Sequence, residues 1–134
     1  MMENKPVEIK QVSEREIWVG ENRFYLDVDL IHINMVGKMD DKTAVTMKDV
    51  YFKLNNMIDG KVDTIINLNK VGKQSIVARK TWNELSENEK CGKLALFGTP
   101  PVARVVASFV MGVTKKKDTH FFKTKEEALA WIKE

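Results

Sequence analysis

Two short runs, TIINL at residues 64–68 and KLALF at 93–97, have apolar residues on both sides of the strand period. A strand of that kind must be covered on both faces, which an isolated hairpin cannot do. Between them lies SIVARKTWNEL (75–85), whose Val77, Ala78, Thr81, Trp82 and Leu85 recur at helical spacing with Arg79, Lys80 and Asn83 opposite. Strand, helix, strand in this order demands a crossover connection and a parallel pairing, so an α/β sheet is the expected frame.

The flanking segments extend it. EIWV, GEN and RFYL (16–26) read as strand, turn and strand, and LIHINMVG (30–37) alternates Ile31, Ile33 and Met35 with His32 and Asn34. From Asp40 to Ile58 the period lengthens: Thr43, Met47, Val50, Tyr51, Leu54, Met57 and Ile58 share one face of a helix expected to stop at Asp59–Gly60. TPPVARVVASFVMGV (99–113) is a further helix with Thr99 as its expected N-cap. Its inward face is Val102, Val106, Phe109, Val110 and Val113, and its outer strip is Arg104, Ala107, Ser108, Met111 and Lys115. THFF (119–122) is a last strand, and TKEEALAWIKE a last helix with Thr124 and Glu127 at capping-box spacing and Ala128, Leu129 and Trp131 available for packing. The expectation is a mixed, mostly parallel sheet with about four helices and an antiparallel N-terminal edge. Residues 1–13 form an extension and 14–134 a single domain.

With 134 residues, 43% of them hydrophobic, the chain can bury one substantial core. MMENKPVEIK lacks an apolar segment behind a basic head, and the longest apolar run is too short to span a bilayer, so a cytoplasmic protein without stable membrane insertion is expected. Net charge is +3, with 8 basic against 11 acidic residues over 1–60 and 14 against 8 over 61–134. A basic half this mild does not make the dense positive face of a nucleic-acid binder. One cysteine, Cys91, and two histidines, His32 and His120, at no metal-ligand spacing give no metal site, and no cofactor is expected. The same scarcity leaves no nucleophile with an oriented base, so no catalytic residues are assigned. The paired carboxylates Asp27 and Asp29, Asp40 and Asp41, and Glu126 and Glu127 fall in turns or first helical turns. Trp18, Trp82 and Trp131 read as packing residues, and Lys115 to Lys117 as a solvated turn.

Four segments carry a family likeness: TIINLNKV (64–71), GKQSIVARKTW (72–82), KLALFGTPPVARVVASF (93–109) and FFKTKEEALAWI (121–132). Together they resemble the SpoIIAA-like branch of STAS domains, the fold of bacterial anti-sigma factor antagonists. INMVGKMDD (33–41) extends the likeness toward residue 14. The resemblance implies a mixed sheet with packed helices, no catalytic centre, and a regulatory or scaffolding role in binding another protein, of kinase-like or sigma-regulatory kind. It also makes Ser75 the candidate phosphoacceptor, at the strand-to-helix junction where such domains carry theirs in an Asp-Ser-Gly setting. Here Gln74 precedes it and Ile76 follows.

Two readings of Ser75 stand side by side. As an N-cap its hydroxyl satisfies a first-turn N–H. As an acceptor it would place phosphate at a positive helix end near Lys73 and Arg79, with Lys70 or Lys80 as a further candidate. Lys73, Arg79, Thr99 and Arg104, from two successive strand-to-helix junctions, form the candidate anion or partner-binding face. The weakly charged strip with Ala107, Phe109 and Met111 is a candidate homodimer surface. A related set of sequences is compared with CRAL-TRIO lipid-transfer domains, which gives the alternative of a small apolar or lipid-like ligand held between helices and sheet.

Overall fold

The computed structural model describes residues 7–111 and 118–134. Its strands are β1 (Ile9–Ser13), β2 (Glu16–Val19), β3 (Asn22–Asp27), β4 (Leu30–Met39), β5 (Val62–Gln74), β6 (Cys91–Phe97) and β7 (Thr119–Phe122). The helices are α1 (Asp41–Asn55), α2 (Ile76–Glu87), α3 (Pro101–Met111) and α4 (Lys125–Ile132). All seven strands form one sheet in chain order. The pairings from β1 to β4 are antiparallel, and those from β4 to β7 are parallel.

Each half follows from its connections. Gly20, at φ 59°, turns the β2–β3 hairpin in two residues, a left-handed conformation that glycine adopts without strain. The parallel strands are joined through α1, α2 and α3, which supply the length a crossover requires. Residues 9–13, assigned to the extension by pattern, form β1 and pair with β2.

Strand alternation splits the sheet into two unlike faces. Ile17, Phe24, Ile33, Ile66 and Leu96 lie on the face covered by α1, α2 and α3, forming the main core with Met47, Tyr51, Leu54, Trp82 and Val106. The opposite face carries Ile65, Ala95 and Phe97 at its β5–β6 end, where Ala128, Leu129 and Trp131 of α4 cover them. Across β2 to β4 that same face bears Trp18, Arg23, Tyr25, His32 and Asn34, whereas α4 packs mainly on β5, β6 and β7.

The helix ends depart from the pattern in places. Asp40 caps α1, its carboxylate accepting from the Thr43 N–H at 2.8 Å, but the helix ends at Asn55 rather than at Asp59–Gly60. Met57 is therefore exposed, and Ala44 and Asn55 take the buried positions. Thr99 is not the N-cap of α3: the helix starts at Pro101, and the Ala103 N–H bonds the Pro100 carbonyl. Ala107, placed on the outer strip by the helical wheel, is buried, as is Ala103, because small residues let α3 approach the sheet closely. Val113 and Lys115 to Lys117 lie outside the described residues.

Candidate functional site

β5 runs on past its apolar run to Gln74, and Ser75 follows in an extended conformation as the N-cap of α2. Its Oγ accepts from the Ala78 N–H at 3.1 Å, and its own N–H donates to the Met39 carbonyl at 3.0 Å, tying the junction to the end of β4. The cap is an observed contact.

Gln74 explains why the junction departs from an Asp-Ser-Gly setting. Its side chain is 3% exposed, with Nε2 donating to the Gly72 carbonyl at 2.9 Å and Oε1 accepting from Trp82 Nε1 at 2.7 Å. The residue before the serine is a clamp between β5 and the second turn of α2. Gly72 is required by a close approach of backbones: a Cβ there would lie 2.9 Å from the Gly37 carbonyl carbon and 3.0 Å from the Lys38 nitrogen.

The first turn of α2 beside Ser75 is exposed and apolar, while the Met39 carbonyl that Ser75 meets leads directly into Asp40 and Asp41 of the α1 start. Ile76 is 68% exposed and Val77 36%, although Val77 was expected on the buried face. No acidic residue stands in the first turn of α2, and Lys73 is exposed just before it. Val45 of α1 and Val105 of α3, each in the first half of its helix, are exposed as well. Sequence reasoning passed over Ile76, whose signal was an apolar residue at the first helical position, outside the buried stripe.

The five candidate residues fall into separate groups. Arg79 turns toward α3, with its guanidinium 4.4 Å from the Phe109 ring centre. Thr99 and Arg104 line a hollow of about 280 Å³ with Gly98, Pro101, Phe121 and Lys123, and neither Lys73 nor Ser75 reaches it. There the Thr99 N–H and hydroxyl both donate to Asn69 Oδ1, at 3.1 and 3.4 Å, and the Arg104 guanidinium lies 5.6 Å from the Phe121 ring. Asn69 and Lys123 were not singled out by pattern, because each reads as an ordinary polar loop residue.

The remaining chemistry-bearing side chains are held apart. His32 stacks on Tyr25 with ring centres 4.3 Å apart, and its Nε2 lies 3.9 Å from Asp27 Oδ2. Burial pushes its pKa below the ordinary value, the charge of Lys125 adds to this, and Asp27 opposes it. His120 packs edge-on to Trp131. Cys91 is buried at the start of β6, near the Tyr51 hydroxyl, whose pKa burial pushes up. Among the described residues no three His, Cys, Asp or Glu side chains are grouped as a metal would need, and no helix is long and apolar enough to cross a membrane. A carrier of a lipid-like molecule needs about 300 Å³ or more of enclosed space. The apolar space between the sheet and its three helices is about 30 Å³, room for a single water, so this interior holds no such ligand.

The fold is that of SpoIIAA. A protein of the DUF3478 family with a SpoIIAA-like fold, from Shewanella loihica PV-4, superposes with a TM-score of 0.60 at 16% identity, covering 98% of each chain. The anti-sigma factor antagonist SpoIIAA in its unphosphorylated form gives 0.58 at 14% identity, over 95% of this chain and 96% of that one. No curated protein matches the sequence. A family described as Domain of unknown function (DUF7793) matches residues 24–134.

Proposed function

Because the chain belongs to the DUF7793 family and carries the SpoIIAA-like fold, we propose that it is a non-catalytic regulatory or scaffolding module that binds another protein through the β5–α2 junction. The observation that carries this reading is Ile76, 68% exposed immediately beside the capping Ser75. A large apolar side chain on the first turn of a helix, with Lys73 beside it and no acid in that turn, suits docking of a partner surface with an acidic rim.

Ser75 is the proposed switch. Its hydroxyl is partly exposed and faces the N-terminal end of α2, where a phosphate would meet backbone N–H groups and Lys73. The solved SpoIIAA structure is of an unphosphorylated form, which makes phosphorylation the natural modification to test here. A charged phosphate beside Ile76 would alter the affinity of an apolar contact by desolvation. The proposed setting is a cytoplasmic complex with a kinase-like or sigma-regulatory partner.

The test uses the intact chain as bait. A partner recovered from the native cells is purified, and its affinity is measured for the wild-type protein and for Ile76→Arg, Ser75→Ala and Ser75→Asp. Ile76→Arg is expected to weaken binding at least about tenfold, as loss of a buried anchor does. Ser75→Ala should cost about 1 kcal/mol of stability through the cap alone, whereas Ser75→Asp keeps a capping oxygen and should stay close to wild type. Equal affinity for all four proteins would remove the junction as the contact surface.

A further inference from the structure

The face of the sheet turned away from α2 carries a second, unrelated feature. Beyond the edge of α4, cross-strand neighbours Trp18, Arg23, Asn34 and Asn67 stand in one row across β2, β3, β4 and β5. An open hollow of about 470 Å³ lies there, lined by these four with Val36, Lys70 and the turn residues Gly20 and Glu21. Its volume is that of a small-molecule site.

The side chains are held in place before any ligand arrives. Glu16 Oε2 accepts from Trp18 Nε1 and from Arg23 Nε, each at 2.9 Å, fixing indole and guanidinium side by side. Those hydrogen bonds, from Arg23 first and Trp18 second, hold the Glu16 carboxyl below its ordinary pKa. The Arg23 guanidinium is also stacked 4.2 Å from the Tyr25 ring centre, and Tyr25 in turn on His32. Asn67 is oriented by Asn69, whose backbone N–H and Nδ2 both donate to its Oδ1, at 2.9 and 3.0 Å. That leaves the Asn67 amide hydrogens unused. Among the described residues the side chains of Asn34 and Lys70 have no hydrogen-bond or ion-pair partner. The opposing charge in the lining, Glu21, is on the exposed turn.

We propose that this half-face is a binding site for a small planar aromatic ligand that carries an anionic group. An indole wall takes the ring, two adjacent carboxamides take its hydrogen-bonding edge, and the outer nitrogens of Arg23 with the Lys70 ammonium take the anion. Glu16 is already committed to Trp18 and Arg23, so the unpaired donors outnumber the acceptors. This site is independent of the β5–α2 junction.

The test is a titration of the isotopically labelled full chain followed by the side-chain amide signals of Asn34 and Asn67 and the indole signal of Trp18. The probes are indole-3-carboxylate, adenosine 5′-monophosphate, and their uncharged counterparts indole and adenosine. Saturable shifts at Asn34, Asn67 and Trp18 with at least one anionic probe are expected, with at least about tenfold weaker binding of its neutral counterpart. Which anion binds more tightly distinguishes an aromatic carboxylate from a nucleotide as the ligand's source. Lys70→Glu, at an exposed position that the fold does not need, should weaken the bound probe by about tenfold or more, and Asn34→Ala should do likewise. No saturable shift up to about 5 mM, shifts confined to other parts of the molecule, or full affinity in Lys70→Glu and Asn34→Ala would overturn the proposal.

Discussion

Replacing Gln74 by aspartate would recreate the acid that precedes the acceptor serine in phosphorylated STAS domains, and the structure says that it should damage this one. The carboxamide spans from the Gly72 carbonyl at 2.9 Å to Trp82 Nε1 at 2.7 Å, and it is 3% exposed. Aspartate is one methylene shorter and has no amide hydrogen to donate. Trp82 Nε1 would be left buried and unpaired, at about 1–3 kcal/mol, and the Gly72 carbonyl would lose about 1 kcal/mol more. Burying a carboxylate there adds a desolvation penalty that drives it to protonate. The sum is about 3–5 kcal/mol, a large part of the 5–15 kcal/mol that typically holds a domain of this size together.

Equilibrium urea unfolding of wild type, Gln74→Asp, Trp82→Phe and the double variant measures this directly. With a slope of about 2 kcal/mol per molar urea, the Gln74→Asp midpoint should fall by about 1.5–2.5 M. In the Trp82→Phe background, where no indole N–H is left to strand, the same change should cost about 1–3 kcal/mol less. A loss below about 1 kcal/mol, or equal losses in both backgrounds, would refute the clamp.

Two further outcomes follow from side chains described above. His32 has a folded-state pKa below the ordinary histidine value of 6.5, so the unfolded chain binds the proton more readily. Stability should therefore be fully present above about pH 6.5 and decline as pH falls from there through the folded value. His32→Gln should flatten that decline in urea midpoints measured from pH 7.5 to 5.5, and an unchanged pH profile would refute the assignment. Lys93 Nζ donates to the Trp131, Ile132 and Glu134 carbonyls at 2.9, 3.4 and 3.0 Å, closing the C-terminal end of α4. Lys93→Met should speed amide exchange in α4 about tenfold or more while leaving β4 and β5 protected, and equal protection throughout would show that the lysine contributes nothing.

The order of strands and helices was legible because periodicity changes sharply between segments, and the capping-box spacing read at Thr124 corresponds to a hydrogen bond from the Glu127 N–H to its hydroxyl. Ser75 was legible as a cap for the same reason. What the pattern could not carry was relative placement. Arg79 and Ser75 are four residues apart, one helical turn, yet Arg79 packs on Phe109 of a different helix. Ala107 has too little apolar surface to mark a face, although it is buried. Gln74 gave no signal at all, since a buried glutamine is recognised only by the indole that it meets. β1 was missed because none of its residues is buried, which leaves no alternation to read.

A sheet whose spatial order equals its chain order can be assembled as the chain is made. Each strand from β2 onward docks on one that has already emerged from the ribosome, so no pairing waits for a distant partner. The exception lies on the other face. Ile65, Ala95 and Phe97 are covered mainly by α4, which follows all seven described strands in the chain. Until residues 125–132 are released, the growing chain shows a bare apolar patch flanked by the polar row of β2 to β4. That interval is when it is most exposed to self-association or capture by a chaperone.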